Sequence, residues 1–474
     1  MNKYKKLAAN SLIFAIGNLG SKLISLLLIP LYTYYLSTTQ YGTVDLITTT
    51  LSLLLPIFTL SIYDAVLRFV MDKGYDKSVI LNNALVLTLI GYLVALLMYP
   101  IFKSLFPFSH FMGLFYLYLL TECVNSSFLQ FIRAIGKVTL FASVGIISAV
   151  VVLIGNITFL VFLHLGTEGY ILSLIIADLF SCLMILFAGT ILPNLSIRKV
   201  SLASVKEMLI YSIPLIPNSL MWWVMGVSDR YLIAYFIGIS ANGLYAVANK
   251  IPSILSVVNA IFFQAWQMSA IEEAESTSKS KFYTDIFRFL STLMLLVTSL
   301  LLVSLKFILH YCVSAEYYSA WKYVPFLLLG VVFSSFSGFL GTNYIAAKKT
   351  FGVFRTSVVG ALLNLIVNLI LIPTIGVNGA SISTMLSFLV MWVLRVIDTK
   401  DFVTINIKLT NFLTGFIIIM AQIGIMFISP PLELLWQSLF FLILLIVGKN
   451  ELGMIYTKLI LRVIHKATGT RKAM

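Results

Sequence analysis

An all-α, polytopic membrane protein is the fold class this sequence predicts, and three observations predict it. Of its 474 residues 60% are hydrophobic and 11% charged, with a mean hydropathy of +1.01, which is too apolar for a soluble globular chain. The apolar residues come in continuous runs without the alternation of barrel strands, so each run reads as a helix. The basic residues fall mostly in the short polar breaks, as membrane orientation demands.

Runs long enough for about 30 Å of hydrocarbon occur near 10–36, 43–67, 79–102, 111–132, 139–163, 169–192 and 209–238. They continue near 243–270, 284–309, 319–346, 353–373, 376–397, 409–429 and 432–448, which makes about fourteen spans. With the N-terminus cytoplasmic, Lys3, Lys5 and Lys6 lie inside, followed by Arg68, Lys73 and Lys77, then Arg133 and Lys137, then Arg198, Lys199 and Lys206. The same side receives Lys279, Lys281 and Arg288, then Lys348, Lys349 and Arg355, then Arg395, Lys400 and Lys408, and the tail from Lys449 to Lys472. Lys103 and Lys306 fall in outer loops. The alternation predicts a cell (cytoplasmic) membrane protein with both termini cytoplasmic. The first run is too long for a signal peptide and reads as a retained span. Cys123, Cys182 and Cys312 are odd in number and form no CxxC pair, which argues against a disulfide framework or a metal site.

The chain repeats. An offset of 201 aligns Ser11 with Ser212, Gly42 with Gly243 and Ser52 with Ser253. An offset of 210 aligns Gly166-Thr167-Glu168-Gly169 with Gly376-Val377-Asn378-Gly379, and Ser173 with Ser383. Spans one to six and seven to twelve therefore read as two copies in the same orientation, related by an axis along the membrane normal. The expected organisation is an N-terminal lobe over 1–195, a cytoplasmic linker over 196–208, a C-terminal lobe over 209–400, helices thirteen and fourteen over 401–450 and a basic tail over 451–474. The two six-helix lobes would be pseudo-symmetric around a central cavity.

Helical spacing selects the inward faces. Span one aligns Ser11, Ala15, Asn18, Lys22 and Ser25; span two aligns Asp45, Thr49, Ser52, Pro56, Thr59 and Tyr63. Span seven gives Asn218, Trp222, Met225 and Asp229, and span eight gives Asn249, Ser253, Ser256, Ala260, Gln264 and Gln267. Such stripes serve either helix packing or a wet cavity. Lys22, Arg230 and Lys250 point to the cavity, because a cation retained within a span faces a bundle interior or a transport path. Asp229 either neutralises Arg230 or leaves it open. Lys322, beside Tyr317, Tyr318, Trp321 and Tyr323, reads as an interfacial anchor. Spans three, nine, thirteen and fourteen are expected at the lipid-facing periphery.

The intramembrane acids are Asp45, Asp64, Glu122 and Asp178. Glu122 and Asp178 are candidates for ion coupling or pairing, and Asp64 with Arg68 has the i,i+4 spacing of a pair or gate. No catalytic motif or phosphate loop is present, so the reading is a non-enzyme without cofactors, driven by an H+ or Na+ gradient or the membrane potential. Scattered basic residues without blocks argue against nucleic acid.

The segment from Asn10-Ser11 to Tyr41-Gly42 and Leu46 resembles the N-terminal signature of the polysaccharide biosynthesis (Wzx-type) flippases of the multidrug/oligosaccharidyl-lipid/polysaccharide exporter superfamily. Gly243-Leu244-Tyr245, Ala248 and Lys250-Ile251 are similar to the family's eighth helix, followed by Tyr318, Ala320 and Pro325, and then by Ile375-Gly376, Gly379-Ala380 and Ser383-Thr384. The resemblance implies a flippase that turns undecaprenyl-pyrophosphate-linked oligosaccharide repeat units to the outer leaflet by alternating access, for capsule, exopolysaccharide or O-antigen synthesis. It implies a cationic cavity in which Lys22, Arg230, Lys250 and, less closely matched, Arg68 bind the headgroup while the lipid tail stays among membrane lipids. A polysaccharide polymerase and glycosyltransferases are the expected partners of a monomer. The alternatives are a cation-coupled multidrug exporter, for which Asp45, Glu122, Asp178, Trp222 and Trp223 are available, and a peptidoglycan lipid-precursor flippase.

Overall fold

The computed structural model describes residues 20–22, 24–72, 74–188, 191–192, 195, 199–272, 279–346, 350–401, 405 and 409–455. The described residues form helices and their connections, with no strand among them. Twelve of the described helices are long and apolar enough to cross a membrane. A thirteenth, Met112–Ala134, has 23 residues and is less apolar because it carries Glu122, Asn125, Gln130 and Arg133; at 1.5 Å per residue it is about 34 Å long. The predicted first span begins outside the described residues and is helical over 24–35. By contacts the chain divides into two units: residues 1–247 with 313–317, and residues 248–312 with 318–474.

In the first unit the helix Thr38–Phe58 begins at a capping box, in which Ser37 and Gln40 satisfy each other's backbone N–H groups. Its face Leu46, Ile47, Leu51, Leu54 and Phe58 packs on Phe102, Phe108, Phe115 and Leu119. The predicted second span is not one helix. It stops after Phe58 and restarts as Ile62–Met71, with Leu60 and Ser61 both left-handed at φ 52° and 51°. Pro56 supplies no N–H, and the Ser61 N–H donates to the Pro56 carbonyl at 2.9 Å, which closes the chain on itself at the break. Gly91 makes room for it: a Cβ there would lie 1.7 Å from the Phe58 carbonyl oxygen. The second segment buries Ile62, Val66 and Val70 against Phe128, Phe131, Ile132 and Met208. The predicted seventh span is also divided, into Leu202–Ser212, Leu215–Val227 and Asp229–Phe236.

The repeat has a physical basis. Gly166 and Gly376, which the 210 offset aligns, both adopt left-handed φ of 55° and 71° immediately before or at the start of a helix. Gly169 and Gly379 are tight in turn: a Cβ would lie 2.8 Å from Phe159 Cβ in one and 2.4 Å from the Leu371 carbonyl carbon in the other. The 201 offset is still more informative, because its aligned residues meet. A Cβ on Gly42 would lie 2.1 Å from the Ile239 carbonyl oxygen, and one on Gly243 would lie 1.9 Å from the Thr38 carbonyl oxygen. Residues 38 and 239 are themselves 201 apart, so the two helices cross backbone to backbone in a reciprocal contact of the two-fold kind.

The second unit has an aromatic core in which Trp266 stacks on Phe339 at 4.3 Å and Trp392 lies against Phe333, Phe336 and Phe412. Val324–Ala346 runs through this core, with Leu328, Val332, Phe336 and Phe339 buried. Span nine is not peripheral as expected: Phe287, Leu290, Met294, Leu302 and Leu305 of Lys279–Cys312 are buried. The last helix, Glu433–Ile455, does fit that expectation, with 17% of its apolar window buried. Gln422 and Gln437 exchange side-chain bonds to each other's carbonyls at 3.1 and 2.8 Å and join the last two helices.

Two basic residues lie elsewhere than expected. Arg395, assigned above to a cytoplasmic loop, is 1% exposed. Its guanidinium donates to Thr356 Oγ1 at 3.0 Å, the Ser337 carbonyl at 2.8 Å and Ser357 Oγ at 3.1 Å. No carboxylate pairs with it among the described residues. Lys306, assigned to an outer loop, bonds Glu433 and the Met426 carbonyl at 2.8 and 2.9 Å and lies 4.3 Å over Trp321. Tyr317 is not an interfacial anchor: it is fully buried in the first unit and donates to the Leu36 carbonyl at 3.0 Å.

Candidate functional site

The cluster that the structure builds around an intramembrane cation lies in the first unit, just past the glycine crossing. Asp45 and Thr49 stand one turn apart on Thr38–Phe58. Arg230, at the start of Asp229–Phe236, donates from Nη1 to Asp45 Oδ1 and to Thr49 Oγ1, each at 3.1 Å. The side chains of Arg230 and Asp45 are 17% and 14% exposed. Asn242, beside the crossing glycine, donates from Nδ2 to Asp45 Oδ2 at 3.2 Å and to the Gly42 carbonyl at 3.1 Å. Trp223 Nε1 donates to the Thr49 carbonyl at 3.0 Å, and the Tyr231 and Thr50 hydroxyls bond each other. Asp45 is therefore held through both oxygens and Arg230 through one nitrogen.

Arg230 finds its carboxylate across helices. Successive side chains diverge on a helix, and Asp229 turns away to accept the Tyr245 hydroxyl. The guanidinium keeps capacity: its Nε is buried and has no partner among the described residues. The planar fork of an arginine binds oxyanions through two parallel N–H groups; here the Nε edge is enclosed by protein, and an anion would reach it only if the side chains around it moved.

A second polar cluster joins Met112–Ala134 to Gly166–Ala188. Asp178 accepts Thr121 Oγ1 at 3.2 Å and Asn125 Nδ2 at 3.0 Å, and Ser181 donates to Asn125 Oδ1 at 2.6 Å. Glu122 lies close enough to Asp178 for the two acids to interact. The expected pair of Asp64 with Arg68 is replaced by Arg68 with Asp72, 3.9 Å apart and largely exposed. Both spacings are one helical turn, and Asp72 lies on the exposed side with the arginine.

The other sequence candidates are placed separately. Lys22 is exposed, and so is Ser25, whose hydroxyl donates to the Ser21 carbonyl at 3.0 Å. Asn218 and Trp222 are exposed on Leu215–Val227. Lys250 opens Lys250–Glu272 in the second unit, half-buried, with Asn249 before it and Ser253 donating to its carbonyl at 2.5 Å. Asn18 and the Gln264 side chain lie outside the described residues. Sequence reasoning missed Asn242 and Tyr245; the available signal was an asparagine and a tyrosine flanking Gly243 in an apolar run.

Residues 7–267 match the family described as polysaccharide biosynthesis protein. A probable low-salt glycan biosynthesis flippase of Haloferax volcanii is 28% identical over 222 residues, which cover 45% of this chain and 46% of that protein. An uncharacterised membrane protein of Methanocaldococcus jannaschii is 26% identical over 239 residues, 46% of this chain and 45% of the relative. The matched region thus spans about half the length of these curated relatives. Among solved structures, the lipid II flippase MurJ in an inward closed conformation aligns with a TM-score of 0.71 at 14% identity, over 95% of this chain and 100% of that one. An inward-facing multidrug resistance MATE family transporter of the MOP superfamily aligns at 0.63 and 14% identity, over 85% and 95%. At these identities the structures establish the fold alone, which this chain shares with both of them. The family match extends over more than half of the sequence, and the chain belongs to the polysaccharide biosynthesis protein family.

Proposed function

We propose that this protein translocates undecaprenyl-pyrophosphate-linked oligosaccharide repeat units across the cytoplasmic membrane, with both of its termini on the cytoplasmic side. The observation that carries the reading is Arg230: a guanidinium inside a span, paired with Asp45 through Nη1 and without a partner at Nε among the described residues. A diphosphate headgroup is the oxyanion such an edge binds, and in a site of low dielectric the attraction is strong. Lys22, Lys250 and Arg68 are the further cations proposed to meet the headgroup along its path. The Glu122–Asp178 cluster is the proposed place for a coupling ion, since acids within spans mark proton and ion relays.

The test is translocation of a defined lipid-linked glycan in liposomes, together with surface polysaccharide in cells. Arg230→Ala and Lys22→Ala are expected to abolish both while the protein still inserts. Normal output from both variants would overturn the cationic path. Export of cationic drugs in place of glycan would instead favour the multidrug reading.

A further inference from the structure

We propose that Asp45 is an internal competitor for the Arg230 guanidinium, a carboxylate that occupies the cation between transport events and yields it to one phosphoryl group of the substrate. This rests on the role given to Arg230 above and extends it to release and selectivity. The geometry is that of an exchangeable contact. An arginine held firmly by a carboxylate uses two parallel N–H groups, whereas Arg230 reaches Asp45 through Nη1 alone, at 3.1 Å. The other Asp45 oxygen is already committed to Asn242 Nδ2 at 3.2 Å. Asp45 thus stands between two donors on different helices, and when the guanidinium is taken by a ligand it retains one of them.

A bare arginine in a low-dielectric site would bind a diphosphate and release it slowly, because release would leave an unpaired buried charge. Asp45 supplies the replacement partner. It also sets a threshold: a ligand must outbid a carboxylate and tolerate its negative charge nearby, which favours a multiply charged diphosphate over a monophosphate or a sugar acid.

Asp45→Asn isolates the charge. The new amide oxygen can still accept from Arg230, and the new NH2 can donate to Asn242 Oδ1, a buried acceptor without a partner among the described residues, once the Asn242 amide turns over and gives up its bond to the Gly42 carbonyl. Purified full-length protein is titrated with undecaprenyl diphosphate and with undecaprenyl monophosphate, and translocation is measured in liposomes with the lipid-linked glycan. The wild type is expected to prefer the diphosphate; Asp45→Asn should bind both lipids about tenfold more tightly, lose part of that preference and turn over more slowly. Arg230→Gln should bind neither. Asp45→Ser, too short to reach the guanidinium, should behave as Asp45→Asn and serves if the amide is not tolerated. If the diphosphate binds in an Arg230-dependent way and removing the Asp45 charge leaves that binding unchanged or weaker, the competitor role is wrong and the function stands. If the wild type shows no Arg230-dependent diphosphate binding, the function reading fails and this proposal falls with it.

Discussion

Replacing Gly42 or Gly243 by alanine tests the crossing that brings Arg230, Asp45 and Asn242 together. The added carbon would sit 2.1 Å from the Ile239 carbonyl oxygen in the first case and 1.9 Å from that of Thr38 in the second. Close C–H to oxygen contacts settle at about 3.3 Å, so the helices must part by about 1.3 Å in either variant. Overpacking of this kind costs about 1–3 kcal/mol. The separation also weakens the Asn242 bond to the Gly42 carbonyl and the 2.7 Å bond between Thr38 and Ser240, each worth about 1 kcal/mol. Alanine returns about 1 kcal/mol of helix propensity, leaving a net loss of about 2–4 kcal/mol. In a unit of this size that lowers the apparent melting temperature by about 5–15 °C. Because one separation relieves both clashes, the double variant should cost little more than either single one. Gly424→Ala is the control: no atom lies within 4 Å of the added carbon, and helix propensity alone should raise stability by up to about 1 kcal/mol. Melting curves of the purified variants in one detergent decide the matter. Single variants that melt with Gly424→Ala, or a double variant with fully additive loss, would refute the reciprocal crossing.

Two further substitutions probe the fold. Arg395→Met should destabilise the second unit by about 1–3 kcal/mol, since it removes the charge-assisted bonds to the Ser337 carbonyl and the Thr356 and Ser357 hydroxyls; an unchanged melting temperature would show that the arginine does not hold these helices. Gly166→Ala forces a left-handed conformation costing about 1–2 kcal/mol, whereas Gly376 sits at φ 71° and ψ −150°, a region essentially confined to glycine and costing about 1–3 kcal/mol. Gly376→Ala should be the worse of the two, because the Gln40 side chain that the carbon at 166 would meet can swing aside; a larger loss for Gly166→Ala in thermal denaturation would contradict that order.

The helices and their repeat were legible because hydrocarbon thickness and glycine geometry act locally. Gly42 and Gly243, or Gly166 and Gly376, stand out in sequence for the same reason they are needed in space. Arg230 was legible too, as a charge in an apolar run. Its partner was not: Asp45 lies 185 residues away, and nothing local distinguishes it from Asp229 next door. The breaks after Phe58 and before Asp229 were hidden because Leu60, Ser61 and Ser228 carry no turn signature, Pro56 being the only hint near the first; the earlier break in span seven is marked by Pro214. Arg395 was misassigned because a cation at a span end reads as a loop residue unless its neighbours on two other helices are known.

The buried arginine of the second unit bears on how the protein is made. A helix carrying Arg395 is poorly stable in lipid by itself. The groups that accept its guanidinium come from Val324–Ala346 and Thr350–Ile375, both of which emerge from the ribosome before Val377–Asp398. The order of synthesis therefore delivers the acceptors first, so the last of the three helices can enter the membrane as a guest of the preceding two. A circular permutant that made Val377–Asp398 first would lose that shelter, although every residue of the finished fold would be the same.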